Sequence, residues 1–168
     1  MRSTYVLSKA MRAILVGVCI LASSSLAYAD SAWLKGTTDE KLSTLAEIQP
    51  GLGTIMIEYS GRFTNMFYAA KGGNWDLADY MLKEAREIQE VGENTRPKRA
   101  QPLKDFESKY LDPLAKAIDA KDSGKFDAAF KEATDGCNAC HSKAGFKFIR
   151  YQLPMSAPTP LLLTPVAK

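Results

Sequence analysis

The most chemically specific residues of this 168-residue chain form one pentapeptide, Cys137-Asn138-Ala139-Cys140-His141. On a helix, Cys137, Cys140 and His141 are related as i, i+3 and i+4, so their side chains project from one face. Two thiols at this spacing can form thioethers with the vinyl groups of a haem, while the adjacent imidazole binds the iron. Because C-x-x-C-H is the attachment signal of a c-type haem, the sequence predicts one covalently bound haem c.

Two other chemistries and one structural role compete for these cysteines. A zinc site takes four ligands, whereas the motif offers three and holds the chain's single histidine. A thioredoxin-like redox pair belongs in a βαβ setting, which the sequence pattern lacks. A plain Cys137–Cys140 disulfide in a helical protein is the third alternative. The adjacent histidine and the export signal described next favour haem over all three.

Residues 1–29 have the features of a secretory signal peptide. The segment opens with three basic residues, Arg2, Lys9 and Arg12. An apolar run over 13–21 follows, and Ala27-Tyr28-Ala29 supplies the small residues that predict cleavage before Asp30. The run is shorter than the ~20 residues of a membrane-spanning helix. We therefore expect a periplasmic protein without a membrane anchor, and cleavage also removes the third cysteine, Cys19.

Charge and composition limit the class of protein. The chain has 22 Lys+Arg and 19 Asp+Glu, and 22 less the three signal-peptide cations leaves 19, so the mature chain has no net formal charge. Overall charge thus gives no support for nucleic-acid binding. The content of 46% hydrophobic and 24% charged residues is that of a globular protein rather than a disordered or collagen-like chain.

Apolar residues recur at steps of three and four after residue 30, with no alternating strand pattern. The pattern predicts an all-α fold, an up-down-up-down four-helix bundle within residues 30–150. The four predicted helices cover about 52–70, 75–92, 103–118 and 126–144, after a shorter helix over 38–48. Residues 151–168 hold four of the eight prolines, so we expect an extended, mobile tail there.

Particular residues predict where the helices begin and end. Gly72-Gly73 ends the first long helix, and Asn74 is suited to cap the second. That second helix is expected to stop at Gly92, before a polar loop from Glu93 to Pro102. Pro113 lies inside the third helix, so a kink or a fresh start capped by Asp112 is expected there.

A C-x-x-C-H motif near the end of the fourth helix of a bundle resembles the cytochrome c-prime family, the class II c-type cytochromes. The resemblance covers roughly residues 50–149, and its specific part is the motif together with the helix order. It implies a haem inside one end of the bundle with His141 as the proximal iron ligand. It also implies either an iron face screened by an apolar side chain or a methionine of the first helix bound to iron, and it is compatible with a homodimer.

Bundle geometry selects among the methionines. We take Phe126 and Lys71 as the two residues at the end of the bundle opposite the haem. His141 is fifteen residues from Phe126, and Met56 is fifteen residues from Lys71. At a rise of 1.5 Å per residue, both therefore lie about 22 Å from that opposite end. Met66 is five residues from Lys71, about 7 Å, which is too far from the haem. Met56 is therefore the candidate distal ligand, with a role as a core filler as the alternative.

The distal ligand decides the function. His/Met coordination raises the reduction potential of the iron and suits single-electron transfer. A five-coordinate iron would instead bind nitric oxide or carbon monoxide. Met155 could replace Met56 only if the tail folded back. The only histidine is already assigned to iron, so the sequence predicts a carrier and not an enzyme.

The helix order also predicts a partner surface. It brings the loop between the second and third helices to the haem end, next to the stretch after the motif. Together these segments carry six basic residues: Arg96, Lys98, Arg99, Lys143, Lys147 and Arg150. A basic rim there would orient an acidic redox partner. The alternative is an ordinary solvated surface.

Overall fold

A computed structural model describes residues 33–166. The regular secondary structure in this range is helical, and the range contains no strand. The helices are α1 (Thr38–Glu47), α2 (Leu52–Lys71), α3 (Trp75–Thr95), α4 (Pro97–Phe106), α5 (Asp112–Asp119) and α6 (Ser123–Lys143). A π-helical turn, Glu107–Leu111, joins α4 to α5. The predicted all-helical fold is confirmed for this range, whereas the predicted signal peptide, residues 1–29, lies outside the described residues.

The chain divides into two compact units, one ending at Ile48 and one beginning at Gln49. The first contains α1, which matches the predicted short helix. A capping box begins it, since the Glu40 amide donates to the Thr37 hydroxyl and the Thr37 amide donates to the Glu40 carboxylate. The hydrogen bonds that the Thr37 amide and hydroxyl donate to the Glu40 carboxylate lower the pKa of Glu40.

In the second unit, α2 and α3 form an antiparallel pair joined by a tight turn. Gly73 has φ +79°, a left-handed conformation that glycine adopts at little cost. The Asn74 side chain accepts a hydrogen bond from the Leu77 amide at 3.2 Å and caps α3. The predicted turn and cap are confirmed.

The expected end of α3 at Gly92 is wrong, and so is the polar loop from Glu93 to Pro102. Helix α3 continues to Thr95, and α4 begins at Pro97. A Cβ at Gly92 would lie 3.0 Å from Leu52 Cδ1, so this glycine permits close contact with α2 instead of ending the helix. Pro97 is tolerated in the first turn of α4, where an amide has no helical acceptor.

The expected discontinuity near Pro113 is present as the π-helical turn. The Asp112 amide donates to the Glu107 carbonyl, five residues back. Helix α5 then begins at Asp112, so the expected cap by Asp112 is wrong: Leu111 is the cap residue and no side chain caps this helix. Pro113 is tolerated in the first turn, where an amide has no helical acceptor. Arg86 of α3 donates to the carboxylates of Glu107 and Asp112, so the turn is held to its neighbour.

The hydrophobic core lies between the four helices α2, α3, α5 and α6. It includes Phe63, Met66, Leu82, Leu114 and Phe126. Residues 151–166 are extended, as expected, but they are not a frayed end. Tyr151, Leu153 and Leu163 pack against the core, and the Leu163 carbonyl lies close to Gly72, a contact that leaves no room for a side chain there. The Asn74 amide group also donates to the Thr164 carbonyl at 3.2 Å. Within residues 33–166, no helix has both the length and the apolarity needed to cross a bilayer.

Candidate functional site

One cavity of the Gln49–Lys168 unit collects the residues singled out by the sequence. Its lining comes from four helices and from the C-terminal segment. The lining residues are Met56, Tyr59, Ser60, Phe63, Gln89, Leu103, Phe106, Cys137, Cys140, His141 and Tyr151. The wall is thus largely apolar, and it contains both cysteines and the histidine of the C-x-x-C-H motif together with Met56.

Helix α6 carries the motif in its last turns. The Asp122 side chain accepts a hydrogen bond from the Lys125 amide at 3.0 Å and caps the start of this helix. Helical geometry then sets Cys137, Cys140 and His141 on one face, and all three are half-buried at the cavity. The two thiols are free and are not joined in a disulfide.

Gly136 lets α6 come close to the π-helical turn. A Cβ built on it would lie 2.6 Å from Cε2 of Tyr110, a distance that real Cβ atoms do not tolerate. The ring of Tyr110 therefore packs against bare backbone one residue before Cys137. Sequence reasoning missed this contact, although a glycine inside a helical pattern is a signal for close packing.

The imidazole of His141 is oriented by the chain that follows it. Its Nδ1 lies 3.1 Å from the Ile149 carbonyl oxygen. A carbonyl oxygen can only accept, so this hydrogen bond requires a proton on Nδ1, and in the neutral ring that tautomer leaves the lone pair on Nε2. Metal-binding histidines commonly have this arrangement, in which a hydrogen bond to the other ring nitrogen fixes the tautomer. The Phe146 amide also donates to the His141 carbonyl at 2.8 Å, which closes the turn after α6.

Asn138, inside the motif, ties the C-terminal segment to α6. Its Oδ1 accepts from the Tyr151 amide at 2.8 Å, and its Nδ2 donates to the Tyr151 carbonyl at 3.2 Å. The Tyr151 hydroxyl lies 3.0 Å from the Thr64 hydroxyl, and its ring meets Phe63 edge to face. Tyr151 thereby forms part of the cavity wall, a role that we did not predict because the tail was expected to be mobile.

The methionines are placed as the level argument predicts. Met56 lines the cavity with His141, although 84 residues separate them in the sequence. Met66 is fully buried in the core and does not line the cavity. Met155 is fully exposed and does not line it either. Met56 is therefore the methionine that shares a cavity with the motif.

Two polar side chains complete the wall: Tyr59, which the helical pattern places on the same face as Met56, and Gln89, which sequence reasoning missed. Tyr59 is buried, and its hydroxyl has no hydrogen-bond partner among residues 33–166. Burial raises its pKa well above the ordinary value, so the hydroxyl remains a donor. Gln89 is buried as well, and its amide group donates to the Glu93 carboxylate and to the Leu103 carbonyl, both at 3.1 Å.

The thiol chemistry disfavours a dithiol redox site. Burial raises the pKa of Cys137 to about 12, with the neighbouring Cys140 adding to the effect. A thiol with this pKa is protonated at neutral pH, whereas reactive redox cysteines have lowered pKa values. Among residues 33–166, no three His, Cys, Asp or Glu side chains are grouped so that they could hold a bare metal ion.

The residues of the predicted basic rim differ in their surroundings: Arg96 is held by hydrogen bonds to backbone carbonyls, whereas the three basic residues after the motif are exposed. Arg96 donates to the Pro50 carbonyl at 2.7 Å, so the α3–α4 junction lies at the end of α2 that carries Met56. Its guanidinium also donates to the Thr95 carbonyl and is committed to this junction. Lys143, Lys147 and Arg150, after the motif, are all exposed.

No protein family, curated protein or solved structure compared with this chain gives a significant match.

Proposed function

We propose that this chain is a periplasmic monohaem c-type cytochrome that carries single electrons between redox proteins. The observation that carries the proposal is the convergence of Cys137, Cys140, His141 and Met56 on one apolar cavity. Helices α2 and α3, the α4–π–α5 segment and α6 would be the four members of an up-down-up-down bundle, as the resemblance to the cytochrome c-prime family implies. The predicted signal peptide supports export, because haem c is retained covalently outside the cytoplasm.

The donor set fits a haem. Cys137 and Cys140 would form the thioethers, and His141 would bind the iron through Nε2. The unpartnered Tyr59 hydroxyl is a buried polar atom that the protein itself leaves unsatisfied, which is costly unless another group supplies a partner. The cavity measures about 70 Å³, room for a few waters. A porphyrin is larger than this, so its binding requires the apolar lining to move apart.

When bound, the haem would supply a metal that gains or loses one electron. The chain's own residues would hold it and control its surroundings. Phe63, Leu103 and Phe106 would exclude water from it, which favours fast electron exchange with little solvent rearrangement. A thioether from Met56 would complete the coordination and raise the reduction potential.

The second candidate function is the binding of nitric oxide or carbon monoxide at a five-coordinate iron. The observation that favours it is again Tyr59, because a buried hydroxyl beside Met56 could donate to a bound diatomic ligand. The two functions differ in what Met56 does: it binds iron in the first and packs as an apolar side chain in the second.

An optical experiment on the exported protein tests the proposal and separates the two functions. We expect an absorption spectrum of a thioether-linked haem that survives acid–acetone extraction in the wild type and is lost in Cys137→Ala/Cys140→Ala. A low-spin spectrum with a methionine-to-iron band that disappears in Met56→Ala supports electron transfer. Met155→Ala is the matched control, because this methionine is exposed and lies off the cavity.

High-spin iron that binds carbon monoxide equally well in the wild type and in Met56→Ala would favour the second function. Absence of any covalently bound haem would contradict both functions. A structural helical protein would then be the remaining explanation of the C-x-x-C-H motif.

A further inference from the structure

The segment Phe146–Arg150, here called the aromatic loop, exposes apolar side chains next to the candidate site. Phe146 is 45% exposed, Phe148 77% and Ile149 47%. The rings of Phe146 and Phe148 meet edge to face with centroids 6.1 Å apart. Three adjacent exposed apolar residues on one short loop form a local hydrophobic patch, and such patches commonly mark interaction sites.

The aromatic loop is held in place and is attached to the candidate iron ligand. The Phe146 amide donates to the His141 carbonyl and the Ile149 amide donates to the Phe146 carbonyl, both at 2.8 Å. The Ile149 carbonyl lies 3.1 Å from Nδ1 of His141. The next residue, Tyr151, is bound at its amide and its carbonyl by Asn138. A preorganised loop loses little conformational entropy when a partner binds.

The charged residues of the aromatic loop and of the chain on either side of it have one sign. Lys143, Lys147 and Arg150 are exposed, and the sequence from Gly136 to Lys168 contains no aspartate or glutamate. The mature chain as a whole has equal numbers of basic and acidic residues, so this excess is local. An apolar centre with charged residues around it is the composition of a transient protein interface.

We propose that the aromatic loop is the docking surface for an acidic single-electron redox protein, with Phe148 as the apolar anchor and Lys147 and Arg150 as the steering charges. The inference rests on the proposed function, since it needs a redox centre behind the loop. In each productive encounter one electron would pass from the reduced partner, which is thereby oxidised, to the haem that Cys137, Cys140 and His141 would hold, and no bond would be made or broken. Charge complementarity and the direct contact with His141 favour a redox protein over an anionic membrane, which would gain nothing from proximity to the iron.

Stopped-flow reduction of the ferric holoprotein by reduced flavodoxin, an acidic one-electron donor, tests the proposal. We expect Lys147→Gln/Arg150→Gln to lower the second-order rate constant roughly three- to tenfold at low ionic strength and to flatten its salt dependence. We expect Phe148→Ser to lower the rate roughly fivefold at every ionic strength, because it removes contact area and no charge. Reduction potentials measured on each variant separate docking from driving force.

The matched control is Lys121→Gln/Lys125→Gln, which removes the same charge at the far end of α6. Lys125 is sixteen residues from His141 on the same helix, about 24 Å away. An equal rate loss in this control, or unchanged rates in both aromatic-loop variants, would overturn the proposal. It would also be overturned if wild type bound phosphatidylglycerol vesicles through the loop while both loop variants kept the flavodoxin rate. A wild type without covalently bound haem would refute the proposed function itself, whereas a normal haem spectrum with unchanged docking rates would refute only this inference.

Discussion

Helices α2 and α6 run antiparallel and have two ends of different character. At the aromatic end, Phe126 packs against Phe67 and Trp75, with ring centroids 6.2 and 6.0 Å apart. The Lys71–Asp127 ion pair, at 2.8 Å, closes this end at the surface. At the cavity end, the same two helices face each other with Met56 and His141 around a cavity.

The difference shows that the same helical spacing of inward-facing residues can produce a packed core at one end and a cavity at the other. Aromatic rings fill the aromatic end, so little there is available for chemistry. At the cavity end, the inward positions of α2 and α6 hold Tyr59, Cys137 and His141. These side chains line the cavity and carry polar atoms. The buried hydroxyl of Tyr59 has no partner within the described part of the chain, which is costly for a polar group.

The largest expected effect is on stability, from truncation at the aromatic end. Phe126 is fully buried, so Phe126→Ala is expected to lower the free energy of unfolding by about 3–5 kcal/mol, through lost burial and the cavity left behind. Phe148→Ala, at the cavity end, is the matched control, since its ring is exposed and its loss is expected to cost less than about 0.5 kcal/mol. Urea denaturation followed by circular dichroism measures both. Equal costs would show that the two ends do not differ in packing as described.

A smaller effect is expected where α6 approaches the π-helical turn. Gly136→Ala places a methyl group against the Tyr110 ring and is expected to lower the free energy of unfolding by about 1–3 kcal/mol. Gly61→Ala is the control, because Gly61 lies inside α2 with no atom near a Cβ, and we expect it to raise stability by about 0.5–1 kcal/mol. The spectrum of the proposed haem adds a second measurement, since a shift of α6 at Gly136 also moves Cys137. A stabilising Gly136→Ala would contradict the close contact.

The sequence predicted the parts of this molecule that depend on local rules. The turn at Gly72-Gly73, the Asn74 cap and the helical face shared by Cys137, Cys140 and His141 all follow from residues near one another in the chain. The placement of Met56 followed because the rise per residue of a helix is constant. These features need no knowledge of long-range packing.

The features that were missed depend on contacts between distant residues. Helix α3 continues through Gly92, where Leu52 of α2 packs closely. The residues around Gly92 in the sequence do not indicate this contact. The C-terminal segment is ordered by Asn138, which binds the backbone of Tyr151 thirteen residues later. Its prolines correctly excluded a helix, but they do not say whether an extended segment packs. The unpartnered hydroxyl of Tyr59 likewise became apparent only when the helices were in place.

The smallest expected effect concerns the N-terminus of α6, at the aromatic end. The Asp122 carboxylate accepts hydrogen bonds from the Lys125 amide and pairs with its ammonium group, and both interactions lower the pKa of Asp122 below its ordinary value. The native state thus favours the ionised form more than the unfolded state does. The resulting stabilisation is full above the unfolded pKa and is lost as the pH falls through the lower folded pKa. We therefore expect Asp122→Ala to lower the melting temperature at neutral pH.

The gap between wild type and Asp122→Ala should shrink as the pH is lowered from about 7 toward about 2, since protonation removes the same interaction in the wild type. Asp135→Ala is the control, because Asp135 forms an exposed ion pair with Lys131 within α6 but caps no helix. We expect it to change the melting temperature less. The spectrum of the proposed haem should be unchanged in Asp122→Ala, since the cap acts at the aromatic end. A pH-independent gap would mean that the side chain at 122 acts through packing and not through its charge, and a changed spectrum would mean that the two ends of α6 are coupled.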